Sequence, residues 1–155
     1  MRAVAALAAL VVLGAAAPPP SLHAGSLTIS HAVMRAVPAG VPNTAGYLTI
    51  ANGGSKADLL LSAACSCARN ITLHATVMHM GMSTMTMPGE IAIPAHGVAT
   101  LSPGAYHLMI EGLKAAPRDG STQVLTLRFQ HAGTVVVPFA VSARVPMAPA
   151  MDMHH

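Results

Sequence analysis

The chain has 155 residues, 53% of them hydrophobic and 8% charged, with a formal net charge of +3. That length suits one domain, and so apolar a composition excludes a disordered chain. The eight Lys and Arg are scattered, with no basic stripe and no aromatic platform beside them, which argues against a nucleic-acid-binding protein.

Met1-Arg2 followed by the apolar run Ala3 to Ala17 reads as a secretory signal. The run is short for a membrane anchor, and no later stretch is long enough to span a bilayer. Residues 1–24 are therefore assigned to a signal peptide, residues 25–144 to the domain and residues 145–155 to a flexible tail. Cleavage after Ala17 fits the small-residue rule better than cleavage after Ala24, but it leaves Pro18 next to the scissile bond. Loss of Arg2 brings the mature charge nearer +2. The expected location is the periplasm.

Beyond the signal, strand patterns recur with Pro and Gly between them. "SLTISHAVMRA" (Ser26 to Ala36) alternates, and "VPAGVPNTAG" (Val37 to Gly46) is punctuated like a loop. "YLTIAN", "DLLLSAA" and "NITLHATVM" read as strands, as do "EIAIPA", "GVATLS" and "AYHLMIEGL". "TQVLTLRF" and "TVVVPFAVSA" close the domain as a pair joined at "QHAGT". No helix-period stretch follows the signal. An all-β sandwich or barrel is expected, with a core of Val, Leu, Ile and Ala and some Met, because Trp is absent and Tyr and Phe number two each.

The methionines are unevenly placed. Of eleven, five fall in "HATVMHMGMSTMTM" (His74 to Met87) beside two histidines; Met109 stands alone, and Met147, Met151 and Met153 lie in the tail with His154 and His155. Core filler would be spread over the strands. Clustering beside histidine points to a soft metal: thioether sulfur binds Cu(I) well and hard cations poorly, and imidazole accepts Cu(I) and Cu(II). Such ligands need no thiolate, which suits an oxidising compartment. His107 and Met109 are two apart on an expected strand and so share a face. On the strand before them, Ile71 and Leu73 point one way and Thr72, His74, Thr76 and Met78 the other.

Cys65 and Cys67 are the only cysteines. A disulfide across one residue closes a very small ring, is easily reduced and cannot staple the fold. The pair reads either as incidental thiols or as an extra Cu(I) or redox site. His31, His96 and His131 read as ordinary surface or turn residues. Catalytic signatures are missing: there is no Gly-x-Ser-x-Gly elbow, phosphate loop or His-Glu-x-x-His. A blue-copper carrier needs a cysteine between its histidines, and none lies between His74 and His107. The chain is expected not to be an enzyme.

His74, ten residues, Met85, twenty-one residues, His107, one residue, Met109: this spacing resembles the H-x10-M-x21-H-x-M pattern of the PCu(A)C periplasmic copper chaperones. "YLTIAN", "LSPGAYHLMIEGLK" and "GSTQVLTLRFQHAGTVVVPFAV" resemble segments of the same family, and the likeness covers roughly residues 26 to 142. It implies a cupredoxin-like Greek-key β-barrel or sandwich. It implies Cu(I) held by His74, Met85, His107 and Met109 and delivered for assembly of the CuA centre of cytochrome c oxidase. The expected partners are copper and, transiently, an oxidase subunit or another copper chaperone, met by a monomer. The chain departs from the family at Met34-Arg35, at Met87-Pro88 and at its two cysteines. Met78, His79, Met80, Met82 and Met87 form either a mobile apolar loop or further ligands, with Met78 and His79 as auxiliary candidates. The tail, through Met147, Met151, Met153, His154 and His155, is an auxiliary copper site that takes Cu(II). The alternative to delivery is copper sequestration for tolerance.

Overall fold

The computed structural model describes residues 20–145. They form eleven strands: β1 (Ser21–Ala24), β2 (Leu27–Arg35), β3 (Asn43–Asn52), β4 (Asp58–Ala64), β5 (Ala68–His79), β6 (Met82–Thr86), β7 (Ile91–Ile93), β8 (Val98–Leu101), β9 (Tyr106–Leu113), β10 (Thr122–Phe129) and β11 (Thr134–Ser142). Among the described residues none is helical, and no helix is long and apolar enough to cross a membrane. The all-β expectation is borne out.

The strands follow one hydrogen-bonded path, β6-β5-β9-β8-β3-β2-β11-β10-β4-β7, with β1 added beside β2 and a further pairing of β3 with β9. Pairing is antiparallel except for β2 with β11 and a single bridge between β8 and β9. The sheet curls so that β4 lies against β5 and β7 against β8, although these strands are far apart along the path. The roll is open, with β6 and β7 as its edges.

Period-two alternation builds the core. β11 buries Val135, Val137, Phe139 and Val141, and β10 buries Leu125, Leu127 and Phe129. Leu27, Ile29, Leu48, Ile50, Leu108 and Ile110 belong to the same core cluster. Met34 is fully buried and fills a core position. Asp58 is buried at the head of β4, where its carboxylate accepts N–H bonds from Leu59, His131 and Ala132. It thereby clamps the β10–β11 turn.

Two boundaries differ from the sequence reading. The stretch 43–46, expected as loop, is the first part of β3 and pairs with Glu111, Ile110, Met109 and Leu108 of β9. Gly46, which looked like a turn residue, is buried within β3, where a Cβ would meet Ile110 and Phe139 at 3.4 Å, about ordinary packing distance. β6 falls inside the presumed methionine loop. In addition, β1 lies within the segment assigned to the signal peptide: cleavage after Ala24 would remove it, and cleavage after Ala17 would keep it.

Candidate metal centre

β5 changes partner along its length. From Ala68 to Ala75 it is paired with β9, and from Ala75 to His79 with β6 on its other side. His74 sits at this junction. The β5–β9 register sets His74 directly opposite His107 and Thr72 opposite Met109, and the β5–β6 register sets Thr76 opposite Met85. Residues directly opposite in an antiparallel ladder share a face. His74, Met85, His107 and Met109 therefore all lie on one face, across three adjacent strands. The face is the one expected for His74, since Ile71 and Leu73 are buried on the other side.

The two imidazoles stand 5.5 Å apart between ring centroids and are tilted by 46°. His107 is buried, and its Nδ1 lies 3.2 Å from the Ala105 carbonyl oxygen. A carbonyl only accepts, so Nδ1–H is the donor, and in the neutral ring the lone pair is then on Nε2. His74 is half-buried, with Nε2 2.9 Å from Thr72 Oγ1. Its Nδ1 is buried and has no hydrogen-bond partner. An unpartnered buried polar atom costs about 1–3 kcal/mol. If Nε2 donates to Thr72, the bare Nδ1 lone pair faces that cost, and a metal ion would relieve it. Thr72 then orients a ligand from behind, as outer-shell groups do. The sequence placed Thr72 on this face without giving it a role; its position two residues before His74 was the available signal.

Exposure falls in one direction across the site. Met85, on the edge strand, is 54% exposed, Met109 is half-buried and His107 is 6% exposed. The site is closed at β9 and open at β6. Among the described residues no three His, Cys, Asp or Glu side chains form a metal-holding group. A metal at this face would have two imidazoles and would complete its shell from thioether sulfur.

The family model described as "Putative lipoprotein LpqE-like" matches residues 27–141. The chain belongs to the LpqE-like family. A relative in Leifsonia xyli subsp. xyli, named "Putative lipoprotein Lxx21020", is 35% identical over 131 residues, which is 83% of this chain and 78% of the relative. Among solved structures, the Cu(I) form of DR1885 from Deinococcus radiodurans is 32% identical, with a TM-score of 0.62, over 74% of this chain and 76% of DR1885. The apo PCuAC domain from PmoF1 superposes with a TM-score of 0.70 over 81% of this chain and all of that domain, at 24% identity. The likeness to PCu(A)C proteins, and the cupredoxin-like fold it implied, are borne out.

In this LpqE-like chain the register also divides the remaining methionines. Met78 faces Ser83 and lies on the face of His74 and Met85. His79 and Met82 face each other on the opposite side of the hairpin. Thus Met78 belongs with the four residues and His79 does not, although the two are neighbours in sequence. Met80 is at the tip, 90% exposed. Met87, just past β6, is exposed and lines a hollow with Leu61, Ser62, Thr72 and Gly89. The tail residues Met147, Met151, Met153, His154 and His155 lie outside the described residues.

Proposed function

We propose that this chain is a copper-binding protein, not an enzyme, that takes Cu(I) as cargo on His74, Met85, His107 and Met109 and passes it to another copper protein. The observation that carries this is the three-strand register, which gathers two imidazoles and two thioethers on one face beside the unpartnered His74 Nδ1. Soft thioethers with neutral imidazoles favour Cu(I) over hard cations. The Cu(I)-loaded form of DR1885, 32% identical, supports the same cargo.

The exposure gradient supports release by ligand exchange. His107 is held by its bond to Ala105 and stays with the metal longest. Met85 stands on an open edge strand, so a partner's sulfur or imidazole displaces it first. Met78, on the same face, offers a stepping ligand on the way out. The client is the CuA centre of cytochrome c oxidase, reached through a transient contact with an oxidase subunit or another copper chaperone. The signal-like N-terminus and the lipoprotein names of the family and its relative support export, with the periplasm as the working compartment. The tail serves as an auxiliary site that takes Cu(II).

X-ray absorption of the Cu(I)-loaded protein should show mixed nitrogen and sulfur scatterers; a spectrum without sulfur rules the site out. Outer-shell groups alone are worth roughly 10–100-fold in metal affinity. Replacing His107 and Met109 together is therefore expected to weaken Cu(I) by more than that, and far more than deleting residues 147–155. The reverse ranking would move the main site to the tail.

Sequestration is the second reading, favoured by the exposure of Met78, Met80, Met82, Met85 and Met87. Deleting the gene separates the two. Loss of delivery lowers oxidase activity at scarce copper, whereas loss of sequestration raises copper sensitivity.

A further inference from the structure

We propose that Cys65 and Cys67 form a second soft-metal site, gated by redox state: closed as the disulfide, and open to Cu(I) as the dithiol. The two are joined by a disulfide in the turn between β4 and β5. β4 pairs with β10 and β7, whereas β5 pairs with β9 and β6, so the turn is a corner between two stretches of the rolled sheet. Both cysteines are half-buried, packed on one side against the core, and Ser66 between them is exposed.

The bond is not what holds this corner. Lys114 N–H donates to the Cys67 carbonyl at 3.0 Å, and Ala68 pairs with Leu113 in the next step of the ladder. Ala63 and Ala68, on either side, are buried in the core. Closing so short a loop also removes the least entropy from the unfolded chain. The disulfide can therefore open while the domain stays folded.

The turn has a built-in polarity. The Cys67 N–H donates to Cys65 Sγ at 3.1 Å. A hydrogen bond to sulfur favours its thiolate, and a sulfur that carries negative charge more readily is the better leaving group. A thiolate of a dithiol reductant thus bonds to Cys67 Sγ, the Cys65–Cys67 bond breaks, and its electron pair leaves on Cys65. The reductant's second thiolate then attacks its own sulfur in the mixed disulfide and frees Cys67. One disulfide is reduced, one dithiol is oxidised, and its two protons pass to the cysteines or to solvent. Two thiolates one residue apart are a soft donor pair that selects Cu(I) and releases protons as it binds. Cys67 precedes His74 by seven residues, roughly 20 Å of extended strand, so this copper is separate from the His/Met face.

Anaerobic Cu(I) titration of the exported chain against bicinchoninate tests this. The form reduced with dithiothreitol and desalted should bind one equivalent more than the oxidised form. Cys65→Ser/Cys67→Ser should abolish the difference, and His107→Ala/Met109→Ala should retain it. Equal stoichiometry in both redox states overturns the site, as does a disulfide that dithiothreitol opens only in denaturant. For the polarity, the oxidised protein is treated with glutathione and quenched with iodoacetamide, and the tryptic peptide spanning residues 57–69 is sequenced by mass spectrometry. Glutathione is expected on Cys67 and carbamidomethyl on Cys65; the opposite placement overturns the assigned order of attack.

Discussion

The two hairpins β10–β11 and β5–β6 are both antiparallel pairs, yet they do opposite things. β10–β11 is flanked by β4 on one side and β2 on the other and buries every second residue. Its turn is held by Asp58. β5–β6 leaves the body of the sheet after Ala75, where the pairing with β9 ends, and all five residues of β6 are exposed. One hairpin is fastened by the core. The other is fastened only at its base, and the candidate site sits at that base, where packing can still hold a histidine while the edge stays open to a partner. On the proposed copper reading, the half fastened by the core carries His74, His107 and Met109, and the open edge carries Met85.

The largest contrast should come from truncating one residue in each hairpin. Phe139→Ala, which empties a fully buried position of β11, is expected to cost about 3–5 kcal/mol, whereas Met82→Ala should stay within about 0.5 kcal/mol. Urea unfolding measures both, and similar losses would mean that the β5–β6 hairpin is packed after all.

The Asp58 clamp comes next. Burial pushes its pKa up, but the N–H groups of His131, Ala132 and Leu59, together with the charge of the His131 ring, outweigh that and hold the carboxyl below its ordinary range. The folded pKa is thus lower than the unfolded one. The stabilisation is fully present above the unfolded value and is lost as pH falls through the folded value, a loss that sets in below about pH 5. Asp58→Asn, which cannot accept all three bonds, should lose about 1–3 kcal/mol at neutral pH and show a flatter acid dependence. An unchanged acid profile would remove the clamp from the account.

The smallest effect is expected at the tip of the methionine hairpin. Met80 (φ 49°) and Gly81 (φ 76°) are both in the left-handed region, the pattern of a type I′ turn. A methionine is strained there, and asparagine is tolerated. Met80→Asn should raise stability by roughly 0.5–1 kcal/mol, read as a shift of the urea midpoint. A fall would mean that the Met80 side chain makes a contact worth more than the strain.

Much of this was legible in the chain. Strands β2, β4, β5 and β7 to β11 carry apolar alternation or short β-branched runs between Pro and Gly, and each was expected close to where it lies. The start of β3 was hidden because Asn43 and Gly46 follow Pro38, Gly40 and Pro42 and read as one run of turn residues, while its partners on β9 are remote in sequence. β6 was hidden because an exposed edge strand has no buried face, and so no alternation to betray it. For the site, spacing and resemblance named His74, Met85, His107 and Met109, and alternation already set Met78 on the face of His74, but nothing in the sequence gave Thr72 a role.

The sequence by itself determined the all-β class, the family and the side of its own strand on which His74 stands, because side-chain direction along a strand follows the local period of two. Only the tertiary structure decided that His74 lies opposite His107, that Met85 of β6 joins the same face, and that the face is closed at β9 and open at β6. Those are matters of register and edge position. Register is set by which apolar faces pack together across the whole sheet, and no local stretch of chain carries that information.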